Sequence, residues 1–180
     1  MKFPSQRILS PCGRFASACL FTFLFLGVGA SSLFGQNCTV TSINLTTQAS
    51  IDNFATAYPG CSCFEITNWP FAISIGGNGG GDITNLDGLS QITKIIGNLG
   101  ISQTSLTSLS GLDNIDTITG YFYISNNDLL TSLNGIGSLT GAYDLKIEDN
   151  DILPNLEGLN SITNVGRLYI TFNNSLVSLD

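Results

Sequence analysis

Apolar residues return about every 23 positions along most of this chain, and that period limits the fold more than any other feature of the sequence. One column holds Ile83, Leu106, Leu130, Leu153 and Leu176, at separations of 23, 24, 23 and 23. Beside it run Leu86, Leu109, Leu133, Leu156 and Leu179, then Gly88, Gly111, Gly135 and Gly158, then Leu89, Leu112, Ile136 and Leu159. Further along each unit come Ile92, Ile115, Leu139 and Ile162. The pairs Leu99 with Ile101, Phe122 with Ile124, Leu145 with Ile147 and Leu168 with Ile170 close the unit, spaced 23 without exception. A period in the twenties is the mark of a solenoid, in which one coil cannot bury its own apolar face and must stack on its neighbours.

Within each coil the Leu-x-Ile pair predicts a strand, because residues two apart point to the same side. The remainder is rich in Gly, Thr, Ser and Asn, and its apolar spacing is too short to sustain a helix. The expected fold class is therefore mainly β, a parallel β-solenoid. Three residues after each Ile of the pair stands Thr104, Asn127, Asn150 or Asn173. An inward asparagine at a bend can satisfy backbone groups of its own coil and of the next. Asn127, Asn150 and Asn173 thus read as a structural ladder, which accounts for them better than a ligand site does. The glycine column marks a bend that needs positive φ.

Two segments depart from the repeat. GGNGGG at 76–81 falls where the spacing is lengthened and reads as a loop bulging from the first coil, whose strand is FAISI at 71–75. A phosphate cradle would need a following helix and usually a lysine, and ITNLDGL supplies neither. Upstream, Ile51, Phe54, Ala55 and Tyr58 lie at helical spacing, with Thr46 or Thr47 as N-cap and Pro59-Gly60 as the stop. This short helix is expected to lie across the open end of the first coil. At the other end LVSLD stops partway through a unit, which reads as an incomplete array from a longer protein.

The first 35 residues differ in kind. Lys2, Arg7 and Arg14 precede the apolar run CLFTFLFLGV (19–28), and small residues follow at Gly29, Ala30, Ser31, Ser32 and Gly35. That order predicts a secretory signal peptide cleaved after Ala30 or Gly35. The run is about half the roughly 20 residues a spanning helix requires, so no transmembrane helix is expected in the mature chain. The organisation read from the sequence is a signal peptide at 1–35, an N-terminal cap at 36–66 and the repeat solenoid at 67–180.

Without the signal, Lys94, Lys146 and Arg167 stand against thirteen carboxylates, a net charge of −10. Such a balance argues against nucleic acid and against electrostatic adhesion to an anionic membrane. Three cysteines remain, Cys38, Cys61 and Cys63. In an exported chain Cys38 should pair with Cys61 or Cys63, leaving one thiol over. A redox reading fails because CSC is CxC rather than CxxC, and a metal site lacks a fourth ligand, since the chain has no histidine.

The columns, above all ITGYFYISNNDLLTSLNGI (118–136), ITNVGRLYITFNNSLVSL (162–179) and GDITNLDGLSQITKIIGNLGIS (81–102), resemble the receptor L domain, a leucine-rich-repeat relative found in receptor ectodomains and exported bacterial proteins. The stretch from Cys38 through the helix to Cys61 looks like the disulfide-linked cap with which such bacterial domains start. The resemblance implies a right-handed solenoid in a secreted or cell-surface protein that binds other molecules. Thr104 in place of Asn, and Tyr143 where other units have Gly97, Gly120 and Gly166, depart from the pattern locally.

Solvent-facing strand positions form three columns: Asn98, Tyr121, Asp144 and Arg167; Gly100, Tyr123, Lys146 and Tyr169; Ser102, Ser125, Glu148 and Thr171. Lys146 falls between two tyrosines and Asp144 beside Arg167, an arrangement that can serve simply as a cross-strand ladder holding register. Tyr121, Tyr123, Lys146, Arg167 and Tyr169 are also the aromatic and basic groups gathered on one face, and such groups favour recognition. They are the candidate contacts to an extracellular protein or glycan. Glu148, Asp149 and Asp151, with Asp128 a coil away, do not follow the order of a calcium loop, and no metal or cofactor is expected. A carbohydrate-active β-helix lyase or hydrolase is the rival reading, but it needs paired outward acids on neighbouring strands, whereas Asp144 and Glu148 share one coil and flank Lys146. A structural spacer is the third. The reading is of a non-catalytic binding or adhesion module.

Overall fold

The computed structural model describes residues 35–66, 72–77 and 80–178. Residues 1–34 of the expected signal peptide, Phe71 of the FAISI strand, Asn78 and Gly79 of the glycine run, and Leu179 lie outside them. The described chain is mainly β, with strands β1 (Gln36–Val40), β2 (Ile43–Leu45), β3 (Cys61–Ile66), β4 (Ala72–Gly76), β5 (Lys94–Ile96), β6 (Asn98–Ser102), β7 (Thr117–Ile118), β8 (Tyr121–Ser125), β9 (Gly141–Glu148) and β10 (Asn164–Thr171). Two short helices, α1 (Gln48–Asp52) and α2 (Phe54–Ala57), lie between β2 and β3.

All the strands pair in parallel within one sheet, ordered β1-β3-β5-β7-β9-β8-β6-β4-β2, with β10 added on β9. The order runs in along odd-numbered strands and out along even-numbered ones because the early coils carry two strands each. These pair separately with the two of the next coil, β5 with β7 and β6 with β8. In the later coils the two merge. β9 meets β7 at Gly141 and β8 from Asp144 onward, and β10 follows β9 along its length.

The Leu-x-Ile pairs lie on the even-numbered arm, in register from coil to coil. Ile73, Leu99, Phe122, Leu145 and Leu168 form one row, and Ile75, Ile101, Ile124, Ile147 and Ile170 the other. The 23-residue period is thus a stacking register, and its apolar columns make one continuous core. Each fully buried Leu, Ile or Phe contributes about 1.5–3 kcal/mol relative to exposure.

The odd-numbered arm goes beyond the single strand per coil that the spacing predicts. Its strands β5 and β7 are three and two residues long, with one buried apolar residue each, Ile95 and Ile118. Nothing that short displays an alternation. The N-terminal segment also differs from expectation. β1 and β2 form a coil of their own beneath the one expected to be first, since β2 pairs with β4 and β1 with β3. Thirty residues separate Ile43 from Ile73, which hides the pair from a search at 23.

The expected helix is present in two pieces. Thr47 is its N-cap, its Oγ1 accepting from Ser50 N at 3.2 Å while Ser50 Oγ accepts from Thr47 N at 3.2 Å. Ile51 and Phe54 are buried, and the rings of Phe54, Tyr58 and Phe64 cluster at 4.9–5.5 Å. The Gln48 side chain accepts from Thr84 N (2.9 Å) and Asn85 N (3.2 Å), tying α1 to the turn of the coil above. Cys38 pairs with Cys61, Cα to Cα 5.7 Å, joining β1 to β3. Cys63 is buried and disulfide-bonded rather than left over as a thiol.

The glycine column divides. Gly111, Gly135 and Gly158 have φ of 106°, 114° and 112° and press on the backbone of the coil beneath, so both conformation and space exclude a side chain. Gly88 lacks the positive φ expected of it; it is required because a Cβ would strike the Ile51 carbonyl of α1.

Candidate functional site

The bend that ends each even-arm strand is held by amide bonding between coils. Asn127 Oδ1 accepts from Thr104 N (3.2 Å) and Thr104 Oγ1 (2.7 Å), while its Nδ2 donates to the Ile101 and Ser125 carbonyls at 3.2 and 3.1 Å. Asn150 repeats this one coil on, accepting from Asn127 N at 3.2 Å and donating to the Ile124 and Glu148 carbonyls. Asn173 accepts from Asn150 N at 3.0 Å and donates to the Ile147 and Thr171 carbonyls. Thr104 fills the same position with a hydroxyl. The residue before each of these, Gln103, Asn126, Asp149 and Phe172, has φ between 52° and 56°. Asn126 and Asp149 are the types that tolerate this conformation, whereas Gln103 and Phe172 give no such signal in the sequence.

This stacking holds β8, β9 and β10 side by side, and with them the aromatic residues of the even arm. Tyr121 and Tyr123, two apart on β8, stack with ring centroids 5.6 Å apart and planes 8° from parallel. Tyr143 meets Tyr121 edge-on at 5.5 Å and is 58 % exposed. It stands where other coils place a glycine, so its ring projects at the junction of the two arms. Tyr123, Lys146 and Tyr169 occupy one row across β8, β9 and β10.

Two corrections bear on the charges. The column Asn98, Tyr121, Asp144, Arg167 does not face solvent throughout: Asn98 and Asp144 are buried, 5 % and 3 % exposed. Asn98 Oδ1 accepts from Tyr121 N at 2.9 Å, and the Asp144 carboxylate accepts from Arg167 Nε at 3.0 and 3.2 Å and from Nη2 at 2.7 Å. A buried carboxylate needs such compensation. These hydrogen bonds, then the charge of Asp144, hold the guanidinium above its already high ordinary pKa, so Arg167 is a fixed cation.

Lys146, expected between two rings, forms its ion pair with Glu148 on its own strand. That hydrogen bond lowers the Glu148 pKa, with burial opposing and Thr171 assisting. The cation on a ring is Arg167 instead, 5.8 Å from the Tyr169 centroid. Burial, followed by the charges of Tyr121 and Asp144, raises the Tyr123 pKa, with Lys146 and Arg167 opposing. The Tyr123 phenol is thus a neutral donor at physiological pH.

All five candidate contacts, Tyr121, Tyr123, Lys146, Arg167 and Tyr169, lie on neighbouring strands of one face. Tyr143 joins them, although the sequence marks it only as a departure from glycine. Asp144 and Glu148 are each engaged in an ion pair. Asp151 Oδ1 accepts from Asn174 at 2.7 Å, and among the described residues no three His, Cys, Asp or Glu side chains could hold a metal. No helix among them is long and apolar enough to cross a membrane. No curated protein and no solved structure matches the chain. Residues 93–180, which carry every member of the tyrosine face, match the family model of the receptor L domain.

Proposed function

We propose that this chain is a non-catalytic, exported binding module whose even-arm face recognises an extracellular protein. One observation carries the reading: Tyr121, Tyr123, Tyr143 and Tyr169 are gathered with Arg167 on a parallel sheet whose backbone is fixed by the asparagine bonding beneath. Tyrosine and arginine supply large contact area with hydrogen-bonding ends, and holding them on strands removes much of the ordering cost of binding. The match to the receptor L domain points the same way, to ligand binding rather than turnover. Carboxylates engaged in ion pairs are poorly placed as general acid and base.

Export belongs to the same proposal. The basic start and short apolar run at 2–28 form a signal cleaved after Ala30 or Gly35, and the Cys38–Cys61 disulfide fits an oxidising destination. The coils wind right-handed, as parallel crossovers do in about 98 % of cases, and the helical segment closes their N-terminal end. N-terminal sequencing of the exported protein tests the cleavage.

The binding face is tested by screening the purified protein against an array of extracellular proteins and titrating the strongest hit. Alanine at Tyr123 and Tyr169 together should weaken that interaction at least tenfold with an unchanged circular dichroism spectrum. Unaltered affinity would remove the face from consideration.

A further inference from the structure

Where the two arms of the sheet meet, a groove of about 560 Å³ opens along β7, β9 and β10, with neither Tyr123 nor Tyr169 in its lining. We propose that this groove binds a neutral glycan, with one sugar ring lying against Tyr143. The inference does not rest on the protein-binding face, although the two share Tyr143 and its contact with Tyr121.

The lining decides the class of ligand. None of its ten residues is charged, in a protein with thirteen carboxylates, so neither a phosphate nor an ionic peptide finds a partner there. What it offers is hydroxyl and amide chemistry. Thr140 Oγ1 donates to the Asp116 carbonyl at 2.9 Å and Thr163 Oγ1 to the Thr140 carbonyl at 3.4 Å, so each hydroxyl keeps its lone pairs for an incoming donor. Thr119 Oγ1 is used the opposite way, accepting from Gly97 N at 3.1 Å, which leaves its proton to donate. Asn164 adds an amide that does both. Because Thr140 and Thr163 sit on successive coils, acceptors repeat at the strand spacing of roughly 4.8 Å. A molecule carrying several hydroxyls, each able to donate and accept, satisfies this set; an apolar ligand would strand it.

Two further features fit a sugar. Gly141 and Gly166 bring no side chains to the lining, and packing keeps them glycine, since a Cβ on either would strike the backbone of the neighbouring coil. Tyr143 supplies one aromatic wall, its ring held by Tyr121, against which the apolar C–H face of a pyranose can pack. The volume lies in the range of about 300–1,000 Å³ typical of small-ligand sites.

The test titrates the intact protein calorimetrically with neutral oligosaccharides of glucose, mannose, galactose and N-acetylglucosamine, with oligogalacturonate, and with inorganic phosphate. At least one neutral series should bind with an affinity indifferent to salt. Tyr143→Ala should weaken it more than tenfold and Thr140→Val severalfold. Tyr143→Phe should retain most of it, and Tyr169→Ala should leave it unchanged. Binding of the charged ligands alone, no neutral binder in the panel, or equal affinity in Tyr143→Ala with an unchanged circular dichroism spectrum would overturn the proposal. Loss of the protein partner on Tyr169→Ala with sugar binding intact, or weakened sugar binding on Thr140→Val with the protein partner retained, separates failure of one site from failure of the other.

Discussion

The coil that carries β9 and the coil that carries β10 share one sequence pattern and differ in burial. Leu145 is 1 % exposed and Leu168, 23 residues on and in register with it, is 49 % exposed. Asn150 is fully buried and Asn173 half-buried. Asp144 is sealed in while the Arg167 side chain beyond it is 57 % exposed. A Leu-x-Ile pair therefore sets where a coil docks, and the energy it yields depends on the coil stacked above.

That contrast can be broken most directly by truncating its paired residues. Leu145→Ala should cost about 2–5 kcal/mol in urea unfolding, since it empties a site closed on both sides, whereas Leu168→Ala should cost under about 1 kcal/mol. Equal costs would mean that the β10 coil is covered in solution. Asn150→Ala removes the acceptor for Asn127 N and the donor for one buried and one part-buried carbonyl, and should cost about 3 kcal/mol; Asn173→Ala should cost about 1 kcal/mol less. Cys38→Ser probes the N-terminal coil. Losing that cross-link should cost about 3 kcal/mol by the chain-entropy argument, and hydrogen exchange should rise in β1 and α1 before β9.

The smallest effect sharpens the charged end of the comparison. The Glu148 carboxyl, lowered by Lys146, stabilises the fold fully above the ordinary carboxylate range and loses that contribution as the pH falls through its depressed value. Its carboxyl-carbon NMR titration should have a midpoint below 4.5, moving upward in Lys146→Met.

How far the molecule could be read in advance follows from the length of each signal. The even arm was legible because its five-residue strands carry two inward apolar residues in every coil. The odd arm, with one such residue in two or three, was not. The tyrosine face was legible by counting alternate residues, but that count also assigned Asn98 and Asp144 to solvent. It failed because each side chain turns back to bond a group of the next coil, Tyr121 N and the Arg167 guanidinium. Tyr143 looked like a defect in a glycine column, and only the junction of the two arms makes it a wall.

The sequence by itself determined the stacking, because apolar residues repeating at one interval can leave water together only by lying above one another. Tertiary structure decided which polar groups are buried, what Lys146 and Arg167 pair with, and where the groove opens. Those outcomes depend on distances between coils and on the merging of two strands into one, and a period along the chain carries no information about either.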